Sequence, residues 1–359
     1  MKKKILISTG GSGGHVIPAI SFYEHFIGKF EVFLSTDKRG SRFIDKKIYK
    51  YEVIDVPNIF SNIFYLPLNL IKFFVSFIKS FFYLKKNKID ILLSTGGYMS
   101  VPLCLTAKIL NIKLFLFEPN MVIGRSNKFI LKFSNKIICY QKEIKGLPLG
   151  YYNKIYVSKP ILRKKIYNIK KNENLKIVEP LNILILGGSQ GAKFFDNTMQ
   201  KLIISLSHVY KLKVSQQIHD KKKQLEISQI YKDNNIESYV FSFDKDLYNK
   251  FNLYDLAFTR SGASTISELV YFNIPFIAVP FPFAKDNHQF FNAKYYFDKN
   301  CCWIIEQKEF KSAKILNLFS KITKDEKSYN EKKENLSKFS YQNTWNDINQ
   351  KLTDLINEN

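Results

Sequence analysis

Residues 10–15 read GGSGGH and follow the apolar stretch KILIS at 4–8. Glycine lets backbone turn sharply or approach a ligand closely, at an entropic cost. Four glycines around Ser12 therefore describe either a tight strand-to-helix turn or a cradle for an anion. The figure returns in GGSQGA at 187–192, after NILIL, and in STGGYMS at 94–100, after another apolar run. At a helix start, unpaired backbone N–H groups and the helix dipole favour a phosphate by roughly 0.3–1 kcal/mol per charge. Ser12 and Ser189 would add hydroxyl donors to such turns. A further turn, RSGASTISEL at 260–269, follows DLAFT. There Ala263, Ser264 and Thr265 would present donors to phosphates, and the Glu268 carboxylate would accept from ribose hydroxyls. The competing reading is a capping box, Thr265-x-x-Glu268.

Other chemistries fit these residues less well. A dinucleotide fingerprint needs a third glycine where the first loop has Val16, and Lys38 and Arg39 follow Asp37, the candidate ribose acid. Both GGSGG and GGSQG satisfy GxSxG, so a serine hydrolase stands as an alternative of another class. Asp244-Lys245-Asp246 spells DxD, a metal–nucleotide motif elsewhere, but it precedes the helical LYNKF, and a helix cap is the preferred reading. Cys104, Cys139, Cys301 and Cys302 lack ligand spacing. No cofactor is required and no divalent metal is implied.

The elements that must position these loops are short apolar strands alternating with amphipathic helices. A helix is expected from Val16 to Ile27 with Pro18 in its first turn. EVFLST, IDILLST, KLFLFE, NKIICY and KIYVS read as strands of a parallel sheet covered on both faces. A charged, aperiodic linker spans Pro160 to Pro180, and a second strand–helix series begins at NILIL. The reading is α/β: two doubly wound, Rossmann-like domains with loops at the carboxyl ends of their strands, across a cleft.

The chain has 359 residues, 45% of them hydrophobic, and a formal net charge of +24. Two readings of the lysines stay open: they solvate the surface, or they attract a polyanion, a pyrophosphate substrate or an anionic membrane face before nucleic acid, for which no motif is present. The N-terminus MKKKILIS passes straight into a strand, which suggests a cytoplasmic protein without a signal peptide. From Ile59 to Leu84 the chain is strongly aromatic and apolar. Pro67, Lys72 and Lys79 argue against a bilayer span, since each lysine would cost about 2.5–3.5 kcal/mol at mid-membrane. Asn69, Lys72, Ser76, Lys79 and Tyr83 form one narrow polar stripe, and the remaining apolar girdle suggests partial burial plus an interfacial patch.

GGSGGH, STGGYMS, EPN, GGSQGA, RSGAST-x-x-E and PF…KDNHQ-x-x-NA, in this order and spacing, resemble the MurG family of lipid II-forming glycosyltransferases. The resemblance runs from about Lys4 to the last helix. It implies the GT-B fold, with an N-terminal acceptor domain over 1–160 joined by a C-terminal helix at about 340–359, and a UDP-GlcNAc domain over 161–339. It also implies an inverting transfer of GlcNAc from UDP-GlcNAc to lipid I, at the cytoplasmic face of the bacterial inner membrane against anionic phospholipid. A GT-B enzyme with another lipid acceptor, such as diacylglycerol, is the near alternative. Carried over residue by residue, His15 is the candidate base, and Ser12, Gly13 and Gly14 lie near the reacting sugar. Asn120 lies at the donor sugar, Ser189 in the second loop and Asp244 by the uracil. Ala263, Ser264, Thr265, Ile266, Ser267 and Glu268 hold phosphate and ribose, and Gln289 reads sugar hydroxyls. Departures are Phe117 and Pro119 around EPN, His288 before Gln289, and Arg163, displaced by one position in KPILR.

Overall fold

The computed structural model describes residues 2–57, 65–171, 179–188, 193–242, 244 and 246–358. The chain divides into two units, Met1–Lys164 with Thr344–Asn359, and Lys165–Asn343. The first unit runs on to Lys164 because Ile161 is buried in its core and the Lys164 N–H donates to the Glu24 carboxylate at 2.7 Å. The remainder of the expected linker, 172–178, lies outside the described residues.

In the first unit the strands are β1 (Lys4–Ser8), β2 (Glu31–Thr36), β3 (Glu52–Val53), β4 (Ile91–Ser94), β5 (Lys113–Glu118), β6 (Lys136–Cys139) and β7 (Ile155–Val157). They form one parallel sheet in the order β3-β2-β1-β4-β5-β6-β7. Strand β1 shows why its residues are continuously apolar. Ile5 and Ile7 pack on one face with α1 (Gly13–Phe26) and the last helix, Trp345–Glu358, while Leu6 packs on the other. Both faces are dry, as a doubly wound parallel sheet requires.

Helix α1 starts earlier than its periodicity predicts. The glycine run itself winds into the first turn, with Ser12 at the N-cap, so Pro18 falls inside the helix. It has no N–H to give the Gly14 carbonyl one turn back.

Helix α2 (Leu66–Asn87) is only partly buried, as expected, but the expected polar stripe is split. Asn69, Ser76 and Ser80 are buried, whereas Ile71, Phe74 and Phe82 are 62%, 61% and 64% exposed. Only part of the stripe faces inward, and Lys72 and Lys79 lie outside with the apolar residues. The reason is close packing. Ser76 donates to the Asp55 carbonyl at 2.8 Å, and Ser80 to the Ser76 carbonyl at 2.8 Å. Small side chains thereby bring α2 against the domain and α3 (Val101–Ile109). Among the described residues it is the one helix long and apolar enough to cross a membrane, and little of it is buried.

Helix α4 (Arg125–Ile130) lies between β5 and β6, and α5 (Lys164–Tyr167) opens the second unit. Its strands are β8 (Leu181–Leu186), β9 (Leu212–Gln217), β10 (Glu237–Phe241), β11 (Leu256–Thr259), β12 (Phe276–Ala278) and β13 (Cys302–Ile304), again all parallel, in the order β10-β9-β8-β11-β12-β13. Helices α6 (Lys193–Ser207), α7 (Lys221–Asp233) and α10 (Ser312–Lys324) cover one face through Phe195, Met199, Ile227 and Phe319. Between them in sequence come α8 (Ala263–Tyr271) and α9 (His288–Asp298), and α11 (Glu326–Ser340) follows α10. The edge strands β3 and β13 are not among the strands the sequence predicts.

The last helix returns to the first unit and places Ile348, Leu352, Leu355 and Ile356 in its core. Leu352→Ala should therefore cost the first unit about 2–5 kcal/mol, whereas a change at exposed Lys351 should stay within about 0.5 kcal/mol, both read by denaturant titration.

Candidate active site

The strand order reverses direction between β1 and β4 in the first sheet and between β8 and β11 in the second. Ligands of open α/β sheets sit beyond the carboxyl ends of strands at such switch points. The four glycine turns follow these four strands, with the Asn120 loop after neighbouring β5, the Asp244 loop after β10 and the Gln289 segment after β12.

In the first unit, Gly11 takes φ +82°, and a Cβ on Gly10 would lie 2.5 Å from Met99. Buried Asp37 holds this turn. Its carboxylate accepts from the Gly11 and Gly40 N–H groups, both at 2.8 Å, and from Arg39 Nε at 3.0 Å. Asp37 is thus committed to the loop instead of a ribose. The Ser12 side chain makes no cap bond, so it leaves the first-turn N–H groups of Gly13 and Gly14 uncapped. His15 reaches the STGGYMS turn: its Nδ1 lies 2.9 Å from the Thr95 carbonyl, and Thr95 Oγ1 donates to the His15 carbonyl at 3.0 Å.

Asn120 is set by Glu118, at the end of β5. This buried carboxylate accepts from Asn120 Nδ2 at 2.9 Å, from the Gly124 N–H at 2.7 Å and from Asn127 Nδ2 at 3.0 Å. Phe117, the departure beside it, is fully buried and meets Phe22 edge-on at 5.1 Å between centroids. It belongs to the core. Arg163 lies close enough to Tyr49 to oppose the upward shift that burial and the Glu24 hydrogen bond impose on that phenol.

In the second unit Ser189 lies outside the described residues, and Asp244 is flanked by two others that do. Asp244 accepts from the Tyr239 hydroxyl at 3.1 Å and from the Asp246 N–H at 2.8 Å. The expected helix cap is only half right. Asp246 holds the N-cap position, but its carboxylate takes the Tyr248 hydroxyl at 2.9 Å and caps no helix N–H. Among the described residues no group of three or more His, Cys, Asp or Glu gathers as metal ligands would.

The capping-box alternative at α8 also fails, because Gly262 is the N-cap and Thr265 is already the third helical residue. Helical geometry sorts the segment 263–268. Ile266 is core, and Ser267, buried, donates to the Ala263 carbonyl at 2.8 Å. Ser264, Thr265 and Glu268 keep partial exposure, with Ser264 and Glu268 one turn apart on one face. The buried Oγ atoms of Ser261 and Ser264 have no hydrogen-bond partner, an unusual pair at a helix entrance.

Gln289 Oε1 accepts from the Ser261 and Phe281 N–H groups at 3.2 and 3.0 Å, which turns its NH₂ outward as a donor. Asn292 Nδ2 donates to the Ser261 carbonyl at 3.0 Å. Glu118, Asn292 and Arg260 are the parts that sequence reasoning did not single out. All three stand inside the motifs EPN, RSGAST and KDNHQ-x-x-NA, which carry the family resemblance without saying what each residue does.

The family models for the glycosyltransferase family 28 N-terminal and C-terminal domains match residues 5–139 and 182–349. A Pelagibacter ubique protein described as UDP-N-acetylglucosamine–N-acetylmuramyl-(pentapeptide) pyrophosphoryl-undecaprenol N-acetylglucosamine transferase is 47% identical over the whole of both chains. One of the same description from Rickettsia bellii is 33% identical, covering 94% of this chain and 95% of its own. The crystal structure of Acinetobacter baumannii MurG superposes with a TM-score of 0.76 at 23% identity, over 99% of this chain and 100% of that one. The chain belongs to glycosyltransferase family 28, and within it to the MurG family of N-acetylglucosaminyltransferases.

Proposed function

We propose that this chain moves N-acetylglucosamine from UDP-N-acetylglucosamine to the C4 hydroxyl of the muramyl-pentapeptide of lipid I, forming lipid II, with His15 as the base. Family membership carries the reaction. The single observation that carries the mechanism is the contact of His15 Nδ1 with the Thr95 carbonyl. A carbonyl can only accept, so in the neutral ring the proton sits on Nδ1 and the lone pair on Nε2. In the step, the acceptor oxygen attacks the anomeric carbon as the bond to UDP breaks. The proton passes to Nε2, the electron pair leaves on the β-phosphate, and the centre inverts. In the second unit, the start of α8 with Ser264 and Thr265 receives the diphosphate, Glu268 the ribose, and the Gln289 amide the sugar hydroxyls. Charge on the departing UDP is met by fixed backbone donors, whose preorganisation lowers the barrier. No metal takes part in this scheme.

Radiolabelled UDP-N-acetylglucosamine supplied with lipid I should yield labelled lipid product, with or without EDTA, and none with diacylglycerol. For His15→Ala we expect turnover to fall at least a hundredfold, as general bases contribute about 10²–10⁴. Donor binding should hold. A loss under tenfold removes the base assignment.

We also infer that α2 seats the first unit on an anionic phospholipid surface, at the cytoplasmic face of the bacterial membrane. Support comes from the inverted helix: Leu68, Ile71, Phe74, Val75, Ile78 and Phe82 are exposed, although burying such a side chain is worth about 1.5–3 kcal/mol. Lys85, Lys86 and Lys88 at its end would each add about 1 kcal/mol near anionic lipid. The helix lies along the surface, since Ser76 is fastened to the domain. The double variant Phe74→Asn/Phe82→Asn should bind phosphatidylglycerol vesicles at least tenfold more weakly in sedimentation, with turnover on a water-soluble short-chain acceptor within twofold of the parent. Undiminished vesicle binding would sink this placement.

A further inference from the structure

Arg260 closes β11 and is 6% exposed. Its guanidinium lies among three aromatic rings, with Cζ 5.3 Å from the centroid of Phe194, 5.1 Å from Phe195 and 5.5 Å from Phe281. Nη1 donates to the Val279 and Pro280 carbonyls at 2.9 and 3.2 Å, and Nη2 to Gln307 Oε1 at 2.6 Å. All three acceptors are neutral. None of the ion pairs among the described residues includes Arg260. Burial pushes its pKa down to about 10, which leaves it charged at neutral pH.

A buried cation without a counter-ion opposes stability, and proteins normally pair one or replace it. Here further positive potential surrounds it. Arg260 stands two residues before Gly262, the N-cap of α8, and Phe194 and Phe195 belong to the first turn of α6. The positive ends of two helices and a guanidinium therefore gather at the carboxyl ends of β8 and β11. The aromatic faces and neutral acceptors offset part of that cost, and an anion at this end of the sheet would offset the rest.

We propose that Arg260 is a positioning residue whose uncompensated charge is reserved for the diphosphate of the bound nucleotide, and whose hydrogen bonds hold the 279–281 turn in register with the Gln289 amide. The second part follows from shared backbone. Arg260 grips the carbonyls of Val279 and Pro280, while Gln289 takes the N–H of Phe281, the next residue, and that of Ser261, the residue after Arg260 itself. The proposal rests on the reading that the α8 entrance holds the donor nucleotide. It goes further by assigning one side chain to the diphosphate and not the nucleoside.

The test compares UDP and uridine binding by calorimetry in the full chain, with melting temperature as the check on folding. Arg260→Gln and Arg260→Met remove the charge by two routes, so that one neutral variant survives if the other does not fold. Either should weaken UDP at least tenfold while uridine stays within twofold. Arg260→Lys keeps the charge but cannot bridge the three acceptors. It should hold the UDP-to-uridine ratio within threefold while losing the added affinity of UDP-N-acetylglucosamine over UDP. Parallel loss of UDP and uridine, or unchanged UDP affinity in a neutral variant, overturns the role. Glu268→Ala separates the two readings. If it weakens uridine while the Arg260 variants leave UDP untouched, the site stands and Arg260 is dismissed; if it leaves uridine unchanged, the site reading itself fails.

Discussion

Backbone N–H groups at the ends of parallel strands have no partner once the chain turns away from the sheet, and the structure depends on what it does with them. A glycine turn running into a helix exposes several such donors together, aligned with the helix dipole. Both sheets place these turns where the strand order reverses, between β1 and β4 and between β8 and β11. Nothing bulky can stand there. That is why Gly10 is hemmed in by Met99 and Asp37, and why Gly11 needs a positive φ.

Loops at strand ends are costly to order, and the two units hold theirs with different groups. In the first unit, buried carboxylates accept from loop N–H groups: Asp37 from Gly11 and Gly40, Glu118 from Gly124 and the Asn120 side chain. In the second, buried donors grip loop carbonyls: Arg260 on Val279 and Pro280, Asn292 on Ser261. Anionic clamps consume backbone donors within the protein. Arg260 consumes no carboxylate and adds positive potential of its own, which suits the half that we propose takes a nucleoside diphosphate and stabilises it as a leaving group.

Helix α2 shows the same logic applied to a surface. An ordinary amphipathic helix turns its apolar stripe to the core. This one turns Asn69, Ser76, Ser80 and Leu84 inward and Ile71, Phe74 and Phe82 outward. A water-exposed face of that kind is unfavourable unless something else covers it. The phospholipid seat proposed for this helix would supply that cover.

The chain's own order determined much: two parallel strand–helix series, the glycine turns between them, and an ordered set of motifs specific enough to identify the family. These features are local, since strand runs, turn residues and helix starts are set by neighbours in sequence. Tertiary packing decided the rest. Whether Glu118 and Arg260 are buried, whether His15 meets the Thr95 carbonyl, whether Thr265 caps a helix or sits inside one, and which way α2 faces all depend on residues far along the chain. A charged or polar side chain looks alike in sequence whether it meets water or a buried loop, and only the folded environment tells the two apart.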